Sequence, residues 1–182
     1  MGTEQLQRLQ AFVAELTQVV ATLINTTPIT EPGAVPGERY WYATLSTPDD
    51  GSDVLAVAID HERAALFARL VSGEAGGVEE ATVSDLLRNV LSQAATALSV
   101  RPEGERLELK LDTLEPRQGS ALVDSGFTGF AIAAPGLTDA LTIALAWVDA
   151  APGRISRAAA SVGNRLDVIL DIDLPASACA RT

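Results

Sequence analysis

Apolar residues recur at three- and four-residue steps over residues 79–99, and this period predicts one long amphipathic helix. Its apolar stripe consists of Val83, Leu86, Leu87, Val90, Leu91, Ala94 and Leu98. Asp85 and Asn89 fall on the opposite side of the predicted helix, one turn apart. A polar row in that position is usually the solvated face of a core helix, but here it also sets a carboxylate beside an amide.

The same period predicts a first long helix over residues 4–25, in which Glu15 and Gln18 lie outside the apolar stripe. This second pair again combines a carboxylate with an amide on one helix face. Three prolines and two glycines follow within residues 26–37, so we expect no regular element in that stretch.

Period-two segments and short apolar runs predict the strands. Residues 38–46 and 54–59 are predicted to form a hairpin across an Asp-Gly turn. Asp60 is expected to cap a short helix over residues 63–71, which Gly73 ends. Three further strands are predicted at residues 107–111, within 121–133 and at 141–148. Glycines inside the second of these indicate a break, a bulge or an edge.

The predicted order is helix, two strands, two helices and three strands, which is a helix–strand–strand unit used twice, with additional elements in the second half. Because short turns join consecutive strands, antiparallel pairing is favoured over parallel βαβ winding. The sequence therefore predicts an α+β, two-layer fold, with an antiparallel sheet packed against two long helices.

Composition narrows the class of protein. The 182 residues contain 47% hydrophobic side chains, which is enough for a packed core, and carry a formal net charge of −11. Lys110 is the only lysine and no arginines cluster, so nucleic-acid binding is not expected. No apolar run is long enough for a membrane span, and a single cysteine excludes a disulfide framework and fits a cytoplasmic protein.

Two isolated reactive side chains do not indicate a catalytic site. His61 follows the predicted cap residue and is expected at the surface; it alone would have to support a triad or a zinc site. Cys179 has no nearby base and is not expected to be a nucleophile. No phosphate-binding glycine loop is present, and Trp41 and Trp147 are expected to pack in the sheet.

The chain divides into three parts. Residues 1–150 carry the predicted fold, residues 151–165 are expected to form a linker, and residues 166–182 return to the alternation of a strand. A terminal strand needs a partner, so pairing between copies of the chain is plausible.

The long helix resembles that of the CheC, CheX and FliY superfamily of chemotaxis phosphatases and flagellar switch proteins. In that family the helix carries Glu-x-x-Asn followed by small residues, and here Asn89 precedes the Ala-Ala-Thr-Ala-Leu-Ser run at residues 94–99. The first helix reads Glu-Leu-Thr-Gln from Glu15 to Gln18, similar to the family's Glu-Leu-Thr-Asn. Residues 166–182 resemble the opening strand of a SpoA domain of the FliN type, cut short.

The resemblance implies a mechanism. In the family an amide orients a water molecule in line with the aspartyl phosphate of the response regulator CheY, and the acidic residue holds a lysine of that partner. This chemistry requires positioning more than a strong base. The candidate pairs here are Glu15 with Gln18 and Asp85 with Asn89. The family uses no cofactor of its own, and magnesium would enter only with a bound response regulator.

Three functions remain open from the sequence. The first is a motility protein at the flagellar motor base or in chemotaxis, acting as a binding module for CheY or switch subunits. The second is a CheY-phosphate phosphatase that uses one of the two pairs. The third is an unrelated stand-alone α/β interaction domain.

Overall fold

The computed structural model describes residues 3–47, 53–74, 76–99, 108–119, 122 and 126–149. Its helices are α1 (Thr3–Ile24), α2 (His61–Ser72) and α3 (Glu80–Ser99). Its strands are β1 (Ile29–Pro32), β2 (Arg39–Ser46), β3 (Asp53–Asp60), β4 (Lys110–Gln118), β5 (Thr128–Ala133) and β6 (Leu141–Asp149). The predicted linker and terminal strand, residues 151–182, lie outside the described residues. None of the described helices is long and apolar enough to cross a membrane.

The six strands form one antiparallel sheet in the order β1-β5-β6-β3-β2-β4. Exchanging β1 with β4, β2 with β5 and β3 with β6 gives the same order read from the other end. The chain is therefore built from two similar halves, which meet at the centre of the sheet where β3 pairs with β6 and also exchange their edge strands, since β1 pairs with β5 and β4 with β2. The predicted α+β fold with an antiparallel sheet is confirmed. The second half has the three strands expected of it, whereas the first half has one strand more than the two predicted, namely β1.

The core lies between the sheet and the helices. Leu55, Val57 and Ile59 of β3 face the helices and are buried with residues of α1, α2 and α3. Alternate residues of the same strand, Ala56 and Ala58, are buried on the opposite face of the sheet. Because β3 is buried on both faces, it reads as a continuous apolar run rather than as an alternation.

The short helix α2 has the predicted caps. The Asp60 carboxylate accepts a hydrogen bond from the Arg63 backbone N–H at 3.0 Å. At the other end Gly73 adopts the left-handed conformation, with φ +70°, and its N–H donates to the Arg69 carbonyl at 3.0 Å. An ion pair between Arg63 and Asp139 joins α2 to the loop between β5 and β6.

The expectation of no regular element in residues 26–37 is wrong, because β1 lies within that stretch. The Gly33 N–H donates to the carbonyl of Gly129, the residue opposite it in the β1–β5 register, at 3.1 Å. Hydrogen-bonded and non-hydrogen-bonded pairs alternate in an antiparallel ladder, so the backbone groups of Thr30 and Pro32 point to the free edge. The nitrogen of Pro32 therefore faces the free edge, where no neighbouring strand would accept a hydrogen bond from an N–H. For this reason the strand tolerates proline at that position.

The strand β4 extends further than the predicted residues 107–111 and contains Pro116. The Gly119 N–H donates to the Glu38 carbonyl at 2.7 Å, which continues the β2–β4 register. By the same alternation, the nitrogen of Pro116 faces the free edge of β4. Proline thus interrupts the backbone donors on both outer edges of the sheet.

Two backbone segments approach each other closely at Gly129 in β5. A Cβ atom added there would overlap the Gly33 carbonyl oxygen and the Ala34 backbone, so no side chain can be accommodated without moving backbone. We expect Gly129→Ala to lower the free energy of unfolding by at least about 2 kcal/mol, measured by urea denaturation. Gly37→Ala is the matched control, because an added Cβ meets nothing within 4 Å there. Equal stabilities of the two variants would contradict this packing.

The face of the sheet away from the helices buries two phenols. Tyr40 and Tyr42 pack against small residues of β3 and β6, and the Arg117 guanidinium carbon lies 3.9 Å from the centre of the Tyr42 ring. Burial raises the pKa of both phenols from the ordinary value of 10.0, while the Arg117 charge partly opposes the rise.

These phenols predict a loss of stability in alkali. Above a pH of about 10 the phenols ionise more readily in the unfolded chain, so the free energy of unfolding falls as the pH rises towards the pKa of the folded state. Urea denaturation at a series of pH values should show a shallower decline in the double variant Tyr40→Phe/Tyr42→Phe than in the wild type. An equally steep decline in both proteins would assign the effect to other groups.

Candidate functional site

The first candidate pair lies on the outer side of α1. Glu15 is half-buried and Gln18 is exposed, three positions further along the helix. Residues three apart lie on one helix face, so the carboxylate and the amide are neighbours as the sequence predicted. The structure therefore presents the Gln18 amide to solvent.

Gln18 borders an open groove of about 450 Å³, which we name the α1–β1 groove. It is lined on α1 by Gln10, Val13, Ala14, Thr17 and Gln18, on β1 by Thr30, Glu31 and Pro32, and on β5 by Phe130. Gln18 also borders a second groove, formed with the end of α1 and residues 25–28. Neither groove was predicted from the sequence, and the α1–β1 groove depends on β1, which was not expected.

Two threonine hydroxyls tie β1 to α1 across this groove. The Thr17 hydroxyl donates to the Val13 carbonyl at 2.7 Å, one turn earlier on its own helix. Its oxygen lies 2.8 Å from that of Thr30. Since the single Thr17 hydroxyl proton is already used, the Thr30 hydroxyl is the donor of this second bond. The bond fixes the position of the edge strand relative to the helix that carries Gln18.

The second candidate pair lies on α3, where Asp85 and Asn89 are both exposed. The Gln93 amide nitrogen donates to the Asn89 side-chain oxygen at 2.8 Å. This bond occupies one acceptor site of Asn89 and leaves both of its N–H donors for a partner. The Asn89 amide is thus presented mainly as a hydrogen-bond donor.

Arg88 was missed as a candidate residue. It is exposed and stands three positions after Asp85, which is the spacing that separates acid and amide in Glu-x-x-Asn. If Asp85 is set in the position of the acid, a guanidinium occupies the position of the amide. The signal was present in the sequence, as Asp-Leu-Leu-Arg at residues 85–88.

The two pairs belong to adjacent helices but differ in their surroundings. Helices α1 and α3 pack against each other on the same face of the sheet. Gln18 borders two grooves, and no described residue of α3 lines either of them. The side-chain hydrogen-bond partner of Asn89 is Gln93, on α3 itself. The fold therefore offers two separate polar patches rather than one combined site.

His61 is more enclosed than expected. Its ring stacks on that of Trp41 at a centroid distance of 5.8 Å, and its Nε2 lies 3.4 Å from a Glu80 carboxylate oxygen. Trp41 packs in the core, as predicted. In the part of the chain that the structure describes, no cluster of three or more histidine, cysteine or acidic residues is arranged to hold a metal ion.

The sequence matches no protein-family model and no curated protein. Comparison with solved structures does find relatives in fold. Thermotoga maritima FliY aligns with a TM-score of 0.57 at 10% identity, covering 89% of this chain and 97% of FliY. The chemotaxis protein CheX of Desulfovibrio desulfuricans aligns with a TM-score of 0.52 at 15% identity, covering 76% and 97% of the respective chains.

A third similar structure is the complex of CheX with CheY, BeF3 and Mg2+ from Borrelia burgdorferi, with a TM-score of 0.51. It is 12% identical and covers 78% of this chain and 97% of the other. At these identities the likeness is one of fold. The antiparallel sheet, the two long helices and these alignments together show that the chain has the fold of CheX and FliY.

Proposed function

We propose that this chain is a protein-binding module of chemotaxis or the flagellar motor switch. It docks a CheY-type response regulator or a switch subunit through the exposed faces of α1 and α3. The fold supports this assignment, since CheX and FliY share it and one of the similar structures is a complex of CheX with CheY.

The state of Asn89 is the observation that favours docking over hydrolysis on α3. With its side-chain oxygen accepting from Gln93, this amide offers N–H donors, and the exposed Arg88 beside it adds further donors. Orienting an attacking water also requires an acceptor aimed at that water. A row of donors suits backbone carbonyls or carboxylates of a partner better than it suits water activation.

A second function, phosphatase activity on the phosphorylated regulator, is supported by the α1 pair. The Gln18 amide is exposed, follows Glu15 at the spacing that the resemblance implies and stands at the rim of an open groove. An amide can accept a hydrogen bond from water and donate to phosphoryl oxygens at the same time. In this reading magnesium enters only with the bound regulator, and the chain itself supplies no cofactor.

The docking function predicts a loss of affinity in Asn89→Ala. A hydrogen bond to a neutral partner is worth about 1 kcal/mol, and up to about 3 kcal/mol if the partner is charged, so the Kd should rise at least fivefold, roughly. Calorimetric titration with the BeF3-loaded regulator and with the switch subunits of the same genome measures the change. Gln118→Ala, an amide truncation in β4 at the far edge of the sheet, is the control and should bind as the wild type does. Absence of binding by the wild-type chain to all of these proteins would refute docking.

The phosphatase function predicts a different result for Gln18→Ala. If α1 is catalytic, the wild type shortens the lifetime of the regulator's aspartyl phosphate. Gln18→Ala then reduces the acceleration of its decay about tenfold or more. The decay of the radiolabelled phosphoryl group, with Asn89→Ala and Gln118→Ala in parallel, provides the measurement. An unchanged lifetime in the presence of wild-type protein, with binding intact, would leave docking as the function.

A further inference from the structure

The α1–β1 groove has an apolar floor beside the helix that carries Gln18. Val13, Ala14, Pro32 and Phe130 contribute apolar surface, and the Thr17–Thr30 hydroxyl bond closes one side. Its volume of about 450 Å³ lies within the range of about 300–1,000 Å³ that is common for binding pockets. The groove is therefore large enough to receive one large apolar side chain.

Charge restricts what can accompany that side chain. Glu31 is the only charged residue that lines the groove in the described part of the chain, and it is exposed. The whole chain carries a net charge of −11. A cation next to the apolar group would therefore gain from Glu31, while an anion would be repelled.

The backbone of β1 disfavours the other common way of occupying such an edge, which is the addition of a strand. In the register with β5, the backbone groups of Thr30 and Pro32 face outward, and proline has no N–H to donate. Pro28, two positions before Thr30, also lacks a donor. An added strand would find a single backbone donor, at Thr30, over this edge, so side-chain insertion is favoured over β-augmentation.

We propose that the α1–β1 groove is a specificity pocket of the docking surface. It receives one large apolar side chain of the docked protein, and a lysine or arginine of the same partner segment pairs with Glu31. The inference rests on the proposed function, in that the occupant belongs to the protein that docks on α1. It adds a recognition element that lies outside both candidate pairs.

Blocking the groove tests the proposal with the full chain. Ala14 is exposed on α1 at the groove, so Ala14→Trp fills the groove from within, whereas Gln118→Trp adds the same ring at an exposed site of β4, on the far edge of the sheet. We expect Ala14→Trp to raise the Kd for the regulator or switch subunit about tenfold or more, with Gln118→Trp close to wild type. Glu31→Lys should raise the Kd about threefold and weaken its dependence on salt. A wild-type Kd for Ala14→Trp overturns the proposal.

A small probe separates the groove from the docking function. Acetyl-Leu-Arg-amide and acetyl-Leu-Glu-amide are titrated into the wild-type chain, and backbone NMR shifts are followed at Thr17, Thr30 and Phe130. We expect the arginine peptide to shift these resonances saturably and the glutamate peptide to leave them unchanged. If no protein partner binds but the arginine peptide does, docking fails and the groove stands as a site. If neither peptide shifts these residues, the groove proposal fails whatever the protein titrations show.

Discussion

The pairing of β3 with β6 is the contact on which the rest of the structure depends. It joins the two halves of the chain at the centre of the sheet, in register from Asp53 with Asp149 to Ile59 with Ile143. Side chains of β3 are buried on both faces, so a polar substitution at almost any of its positions would meet apolar surroundings. Helices α1 and α3 are placed side by side because each belongs to one half and both pack on the same face of this central pair.

A similar fold in the two halves does not give them a similar surface. The α1 half contributes the short edge strand β1, which leaves a groove beside Gln18, whereas α3 carries a row of donors around Asn89. The two patches therefore offer different chemistry, a free amide beside an apolar groove on α1 and a hydrogen-bonding array on α3. A partner that contacts both helices would form hydrogen bonds with α3, and the groove beside α1 would select which side chain it presents.

Much of the fold was predictable because its signals are local. The periods of α1 and α3, the Asp60 cap and the Gly73 end depend on neighbouring residues, and the structure has all of them. The strand β1 was not predictable, since its proline, Pro32, is typical of a break in regular structure until the ladder shows that its missing donor faces outward. Nor could the site be completed from sequence. The Asn89–Gln93 bond depends on side-chain conformations, and the groove beside Gln18 depends on long-range pairing of β1 with β5.

The two-half construction also has a consequence for folding kinetics. The hairpin of β2 with β3 and that of β5 with β6 each form between close neighbours, but Val54 pairs with Val148 from the other half of the chain. Closing so long a loop costs entropy before the central pairing is gained, so we expect that pairing to form more slowly than either hairpin. At high protein concentration the corresponding half of a second molecule can compete for the same strand, so we expect the yield of refolding to fall as the protein concentration rises.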